Sequence, residues 1–153
     1  KGYPPAAWAR VVNRLLSAGR RVVVAAGPGE ESVLAAVRTQ LVPGALCLGE
    51  PLADLGELAA WIAGARLVLT ADSGPRHLAV AFARPLLVVA GPTDPRHTAD
   101  WLEHTELLRV PVPCGPCHRE RCPLPPGPEH HACMHLIAPD ALARLALERL
   151  ELS

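Results

Sequence analysis

The sequence lacks the features that mark membrane-spanning and exported proteins. No apolar run reaches the ~18–20 residues that a transmembrane helix requires, although half of the 153 residues are apolar. No basic amino-terminal segment leads into a hydrophobic stretch, so no secretion signal is recognisable. Neither a membrane protein nor a secreted protein is therefore expected.

The chain also has no excess of positive or negative charge and few aromatic side chains. Fifteen basic and fifteen acidic residues balance to a formal net charge of zero, and aromatic residues make up only 3% of the chain. A nucleic-acid-binding surface needs a basic patch and usually aromatic rings on which bases stack, so we expect no nucleic-acid partner. Lysine is nearly absent as well, Lys1 being the only one.

A length of 153 residues fits one domain that is large enough to bury a hydrophobic core. The chain begins with Lys1, and its only methionine is Met134. An open reading frame would begin elsewhere, so we expect this chain to be a piece of a longer protein.

Apolar segments typical of strands and of helices alternate along most of the chain, separated by short turns rich in Gly and Pro. This alternation predicts an α/β fold with a parallel sheet and helices on both faces. A continuous β-branched run at residues 21–26 predicts a strand that is buried on both faces. Asp54 and Glu57 have the spacing of a capping box that opens the helix Leu55–Ala63. The other predicted strands are 45–48, 67–70 and 86–90, and the other predicted helices cover 4–18, 33–37, 76–82 and 140–150. The last of these helices has one apolar face, which we expect to pack back onto the domain, with a dimer contact as the alternative.

Three of the predicted strands end in small, polar turns, at residues 27–31, 72–75 and 91–95. In an open parallel sheet such turns share the carboxyl edge, which is where ligands bind. The alternative is that they are rich in Gly and Pro only because the chain must turn tightly there. Because three turns share this character, we favour a bound ligand at this edge.

The turn at residues 72–75 carries the most specific chemistry. Ser73 or Asp72 can cap the following helix, and Pro75 suits its first turn. Gly74 allows a ligand to approach the backbone closely, and the amino end of a helix attracts phosphate. His77 would then lie beside the bound anion. The alternatives are a capped turn that binds nothing and a histidine that is bonded locally.

Residues 111–134 are rich in Pro, Cys and His and show no periodicity. Four clustered cysteines in this loop predict a tetrahedral zinc site. Two disulfides or four free thiols are the alternatives, and a chain without an export signal favours reduced thiols over disulfides. The cysteines are Cys114, Cys117, Cys122 and Cys133, and His118, His130, His131 and His135 are possible substitutes as ligands.

The order of these motifs resembles the C-terminal half of family 9 glycosyltransferases, the ADP-heptose:lipopolysaccharide heptosyltransferases and their relatives. The resemblance covers nearly the whole chain, and its most specific part is the Asp-Ser-Gly-Pro-x-His-Leu-Ala block that begins at Asp72. The series runs from Lys1-Gly2-Tyr3-Pro4 through Val23–Glu31, Asp54–Ala59, the Asp72 block and Gly91–Pro95 to the Cys-x2-Cys…Cys…Cys-Met tail.

The resemblance implies an inverting glycosyltransferase of GT-B architecture, in which two Rossmann-like domains face each other across a cleft. Residues 1–153 would be the domain that binds the nucleotide sugar, ADP-heptose being the leading candidate, with the Cys-rich loop 111–134 within it. The general base, most of the acceptor site and the first strand of the domain would lie outside this chain. The donor-binding residues implied are Lys1 for phosphate, Glu30 for the ribose, Asp72 for the sugar, Ser73, Gly74 and His77 for the diphosphate, and Thr93 at the same edge.

The cysteine cluster is the one place where a metal, a structural zinc, is expected. The resemblance implies that transfer itself needs no cofactor. It also implies a glycolipid acceptor held by the missing domain, and a bacterial protein of lipopolysaccharide synthesis. A cytoplasmic location follows, with peripheral contact at the inner membrane allowed. Other function classes remain open at this point: a non-catalytic nucleotide-binding module, a zinc-stabilised interaction domain and a sugar-nucleotide epimerase.

Overall fold

Helices and strands alternate along the chain, as the sequence predicts. The structure is a computed structural model that describes residues 2–43, 46–47, 52, 54–94 and 104–152. The predicted strand ends Ala45 and Leu48 lie outside these residues. The helices are α1 (Pro5–Ser17), α2 (Glu31–Arg38), α3 (Leu55–Ala63), α4 (Gly74–Ala81), α5 (Ala132–His135) and α6 (Pro139–Glu151), and the strands are β1 (Val23–Val24), β2 (Leu46–Cys47), β3 (Val68–Ala71), β4 (Leu86–Val89) and β5 (Thr105–Leu108).

All strand pairs in the described residues are parallel, which confirms the α/β class. They form two sheets: β1 pairs with β2, and β3, β4 and β5 lie side by side in that order. In the larger sheet Val68 is opposite Leu86, which is in turn opposite Thr105. That a strand from outside the chain completes the sheet stays a prediction.

Strand β4 is the centre of the larger sheet, and its alternate side chains enter two different cores. Leu87 and Val89 pack against α1 and α6, whereas Leu86 and Val88 pack against α3 and α4. All four side chains are at most 1% exposed. Complete burial of each contributes about 1.5–3 kcal/mol of hydrophobic free energy. The prediction of helices on both faces of the sheet is therefore confirmed.

Strand β1 differs from its prediction. The sequence predicts a strand at 21–26 that is buried on both faces, but β1 has only two residues in the ladder, and Val23 is 41% exposed. The physical reason is that β1 pairs only with β2 among the described residues, so a β-branched run does not by itself guarantee burial.

Helix α3 begins and ends at the predicted residues. Asp54 is its N-cap, and its carboxylate accepts a hydrogen bond from the Gly56 N–H at 2.7 Å. Such a bond satisfies one of the N–H groups that the first helical turn leaves unpaired, and it is typically worth about 1 kcal/mol.

The closing helix α6 packs back onto the domain, as predicted, and its partner is α1. Leu142 and Ala146 on its inner face have no exposed surface. Arg10 of α1 forms a salt bridge with Asp140 at 2.5 Å, and the Tyr3 hydroxyl donates to the Ile137 carbonyl oxygen at 2.8 Å. Burial, with a smaller contribution from the Asp140 charge, raises the pKa of Tyr3 to about 12. None of the described helices is long and apolar enough to cross a membrane.

Candidate functional site

The turn between β3 and α4 presents an open helix terminus. Ser73 is the N-cap residue with an extended backbone, and Pro75 lies in the first turn of the helix, as predicted. Ser73, Gly74 and His77 are exposed to solvent. A Cβ added at Gly74 would meet nothing within 4 Å. The space beside Gly74 is therefore not filled by other side chains of the described residues.

The predicted side-chain cap at this terminus is wrong. The Ser73 hydroxyl makes no capping bond and donates instead to the Ala71 carbonyl oxygen at 3.3 Å. Asp72 does not cap the helix either, because its carboxylate binds Arg76 and Thr93. A helix start that lacks a side-chain cap, with its dipole directed outward, is suited to bind an anion.

Asp72 joins two of the three predicted turns. Its Oδ1 accepts from Arg76 Nη1 at 2.6 Å, and its Oδ2 accepts from the Thr93 hydroxyl at 2.5 Å. Since Thr93 follows β4, the turns after β3 and β4 are in direct contact, as expected for neighbouring parallel strands. The predicted proximity of Asp72 and Thr93 is therefore observed.

Arg76 is the residue that sequence reasoning missed. Its side chain is 3% exposed, and it forms the ion pair with Asp72 across one helical turn. The spacing of four residues between an acid and a base was the available signal. In the sequence this arginine resembles an ordinary surface residue of a short helix, and only the packing shows that it is buried.

The pKa of the Asp72 carboxyl is lowered. Burial alone would raise it, but hydrogen bonds from Thr93 and Arg76, together with the charges of Arg76 and His77, outweigh the burial. Asp72 is therefore a carboxylate at neutral pH, with a guanidinium beside it. Both oxygens have protein partners, yet each oxygen can accept a further hydrogen bond from a ligand hydroxyl.

Glu30 follows β1, on the two-stranded sheet. The residue is exposed, and its Oε2 accepts from the Gly27 N–H at 2.9 Å, which fixes the carboxylate over the turn. Gly29 has a φ of 84°, a left-handed conformation that favours glycine. The hydrogen bond between Asp72 and Thr93 does not involve Glu30. Lys1 and Pro95 lie outside the described residues.

The Cys-rich loop 111–134 packs against the turn after β4, which the sequence did not indicate. The His118 N–H donates to the Pro92 carbonyl oxygen at 2.8 Å. Met134 is 2% exposed, and a Cβ at Gly91 would overlap its sulfur and lie 2.9 Å from its Cγ. The loop is therefore a neighbour of the Asp72–Thr93 pair.

The four cysteines of this loop surround one small cavity, together with His131. All four are described, and none forms a disulfide. Burial, together with the charges of the neighbouring thiols, raises the pKa of Cys133. Ligand atoms of Cys122, His130 and His131 lie within 4.8 Å of one another. The four predicted thiols thus line one cavity, and two of the four histidines proposed as substitutes lie beside Cys122. That the four thiols hold a metal stays a prediction.

Known proteins resemble this chain in sequence. The sequence model of Glycosyltransferase family 9 (heptosyltransferase) matches residues 1–127. Lipopolysaccharide heptosyltransferase 1 of Pseudomonas aeruginosa is 31% identical over 129 residues, which are 84% of this chain and 36% of that protein. The chain thus spans about a third of the length of this curated relative.

Two solved structures share the fold. The family 9 glycosyl transferase from Veillonella parvula has a TM-score of 0.78 at 21% identity, covering 99% of this chain and 42% of that one. The E. coli heptosyltransferase WaaC with ADP-2-deoxy-2-fluoro heptose has a TM-score of 0.68 at 23% identity, covering 95% of this chain and 38% of that one.

Proposed function

Because this chain belongs to glycosyltransferase family 9, we propose that it is the nucleotide-sugar-binding domain of an inverting glycosyltransferase. The donor is ADP-heptose or a closely related sugar nucleotide, and the product belongs to the lipopolysaccharide core or a similar glycan. The choice of base rests on the complex of WaaC with an ADP-heptose analogue, a protein of the same fold.

The observation that carries the proposal is the open amino end of α4. Ser73, Gly74 and His77 are exposed there, and neither Ser73 nor Asp72 caps the helix. Sugar transfer expels a nucleoside diphosphate, whose growing negative charge has to be stabilised. Backbone N–H groups at a helix start and an imidazole can supply this stabilisation without a metal ion.

The remaining donor contacts are assigned by their position. Glu30 binds the ribose hydroxyls, since its carboxylate is exposed and held by the Gly27 N–H. Asp72 binds a hydroxyl of the sugar and is fixed by Arg76 and Thr93. Lys1 neutralises donor phosphate; this role rests on its place in the family motif alone.

The general base and the acceptor site belong to the part of the protein outside this chain. The acceptor is a glycolipid, and we place the reaction in the cytoplasm, with peripheral contact of the whole protein at the inner membrane. The described residues supply the donor half of the cleft, so they bind the donor weakly and do not catalyse transfer alone.

Isothermal titration calorimetry of the intact protein with ADP, UDP and GDP tests the proposal. We expect ADP to bind most tightly, and His77→Ala to weaken ADP binding roughly tenfold, or about 1.4 kcal/mol. His104→Ala is the matched control, because His104 is also exposed but immediately precedes β5, at the opposite edge of the sheet.

Each outcome of the titration has a definite meaning. If no nucleotide binds, the donor-site proposal fails and an interaction domain becomes the better explanation. If UDP or GDP binds in preference to ADP, the site stands and the choice of ADP-heptose is wrong. If His77→Ala and His104→Ala weaken ADP binding equally, His77 is not part of the donor site.

A further inference from the structure

The Cys-rich loop 111–134 contains a cavity of ion size. Its volume is about 20 Å³, and about 10–15 Å³ suffices for one water molecule. A single ion therefore fits, whereas a larger ligand does not. The side chains around the cavity include Cys114, Cys117, Cys122, Cys133 and His131.

Cys122 is one of the thiols that line this cavity. Its sulfur accepts a hydrogen bond from the His131 backbone N–H at 3.4 Å, which holds the thiol beside the imidazoles of His130 and His131. His130 Nδ1 lies 2.8 Å from the Leu124 carbonyl oxygen, so Nδ1 donates this bond and Nε2 is the ring nitrogen left for a metal. Such a second hydrogen bond is the usual support of a metal-bound histidine.

We propose that loop 111–134 binds one zinc ion, or another soft divalent metal, and that Cys122 is one of its ligands. The other ligands come from the thiols around the cavity, Cys114, Cys117 and Cys133, and from the adjacent imidazoles. Sulfur and imidazole nitrogen are the ligands that zinc prefers in tetrahedral structural sites. Each thiol that coordinates the ion releases its proton to water.

The position of the loop indicates which contact this metal would stabilise. The loop contacts the turn after β4 through the His118 N–H and Pro92 carbonyl, and through Met134 against Gly91. Without a metal, few regular backbone hydrogen bonds hold this Pro-rich segment in one conformation. The ion therefore fixes the loop against the turn that carries Thr93. This inference is independent of which nucleotide the protein binds.

The test is the metal content of the intact protein, purified with a reductant and without chelator. We expect about one zinc per chain by elemental analysis. After exchange with cobalt, we expect absorption bands of sulfur-to-cobalt charge transfer in the near ultraviolet. Less than about 0.1 metal per chain, with the loop thiols reactive or paired in disulfides, would overturn the proposal.

A pair of cysteine variants locates the site. Cys122→Ser should lose the metal, whereas Cys47→Ser should keep it, because Cys47 lies in β2 outside the loop. If Cys122→Ser does not fold, removal of the metal from the wild-type protein by a chelator replaces it: the Tm should fall and recover when zinc is added. Full zinc content in a folded Cys122→Ser variant contradicts the proposal. So does a wild-type Tm that is unchanged after treatment with chelator.

Discussion

At the scale of single residues, the contacts of Asp72 define the candidate site. The sequence places Asp72 and Thr93 at one edge of the sheet, and the structure joins them by a hydrogen bond of 2.5 Å. The same carboxylate pairs with Arg76, whose side chain is almost fully buried. A nearly buried charge requires a partner, since removing the partner leaves an uncompensated ion in a region of low dielectric constant.

Replacing Arg76 with Met should therefore destabilise the protein. We expect Arg76→Met to lower the free energy of unfolding by about 3 kcal/mol, the loss typical of a broken buried ion pair, as measured by urea denaturation. Arg144→Ala is the control, because its ion pair with Glu148 is exposed and should contribute less than about 1 kcal/mol. Equal effects of the two variants would show that Arg76 does not depend on its buried partner.

The lowered pKa of Asp72 predicts a dependence of stability on pH. The native pKa lies below the unfolded value of about 3.9, so the ionised carboxylate stabilises the native state. This contribution is complete above the unfolded pKa and is lost as the pH falls through the native one.

Thr93→Val tests this dependence, because it removes a hydrogen bond that favours the ionised form. As the pH falls below the unfolded value of about 3.9, the Tm of the wild type should fall more steeply than that of Thr93→Val. If the Tm of Thr93→Val fell more steeply in acid than that of the wild type, the direction assigned to the pKa shift of Asp72 would be wrong. Thr39→Val is a control, since its hydroxyl donates to a backbone carbonyl oxygen, that of Ala36, and not to a carboxylate.

At the scale of elements, local signals predicted helices better than strands. Asp54 and the periodicity after it predicted α3 to the residue, because an N-cap and an amphipathic face are encoded nearby in the chain. The extent of β1 depends on which strands lie beside it, and no local pattern contains that information. Helix α5 has four residues and no apolar period, so it left no signal in the sequence.

The contact between the Cys-rich loop and β4 predicts a strong effect at Gly91. Gly91→Ala places a methyl group against the buried Met134 side chain, and such overpacking typically costs about 1–3 kcal/mol. We expect a lower Tm in a calorimetric scan. Gly74→Ala is the matched control, since its added methyl group meets open space. An unchanged Tm in Gly91→Ala would mean that the loop shifts to accept the methyl group without a loss of stability.

At the scale of the whole molecule, α6 connects the two ends of the chain. Leu142 of α6 shares a core with Tyr3, Leu15 and Val89, so residues that are distant in sequence fold as one unit. The sequence predicted that α6 packs back onto the domain, from its apolar face alone. It could not predict that α1 is the partner, because helix pairing depends on the order of the strands between them.

Leu142→Ala should consequently weaken the entire domain. We expect the free energy of unfolding to fall by about 2–5 kcal/mol, with far- and near-ultraviolet circular dichroism reporting one shared transition. Leu136→Ala removes the same atoms from a side chain that is 58% exposed and should have little effect. Two separate transitions in Leu142→Ala would show that α6 unfolds locally and that the rest stays native.

Strands β1 and β3 each have one side on which no described strand is paired. Their backbone N–H and C=O groups on that side are a template for any extended peptide, and Val23 adds an exposed apolar side chain beside them. When these residues are expressed by themselves, they should therefore self-associate by strand addition and collect in inclusion bodies. Co-expression with the rest of the protein should keep them dispersed.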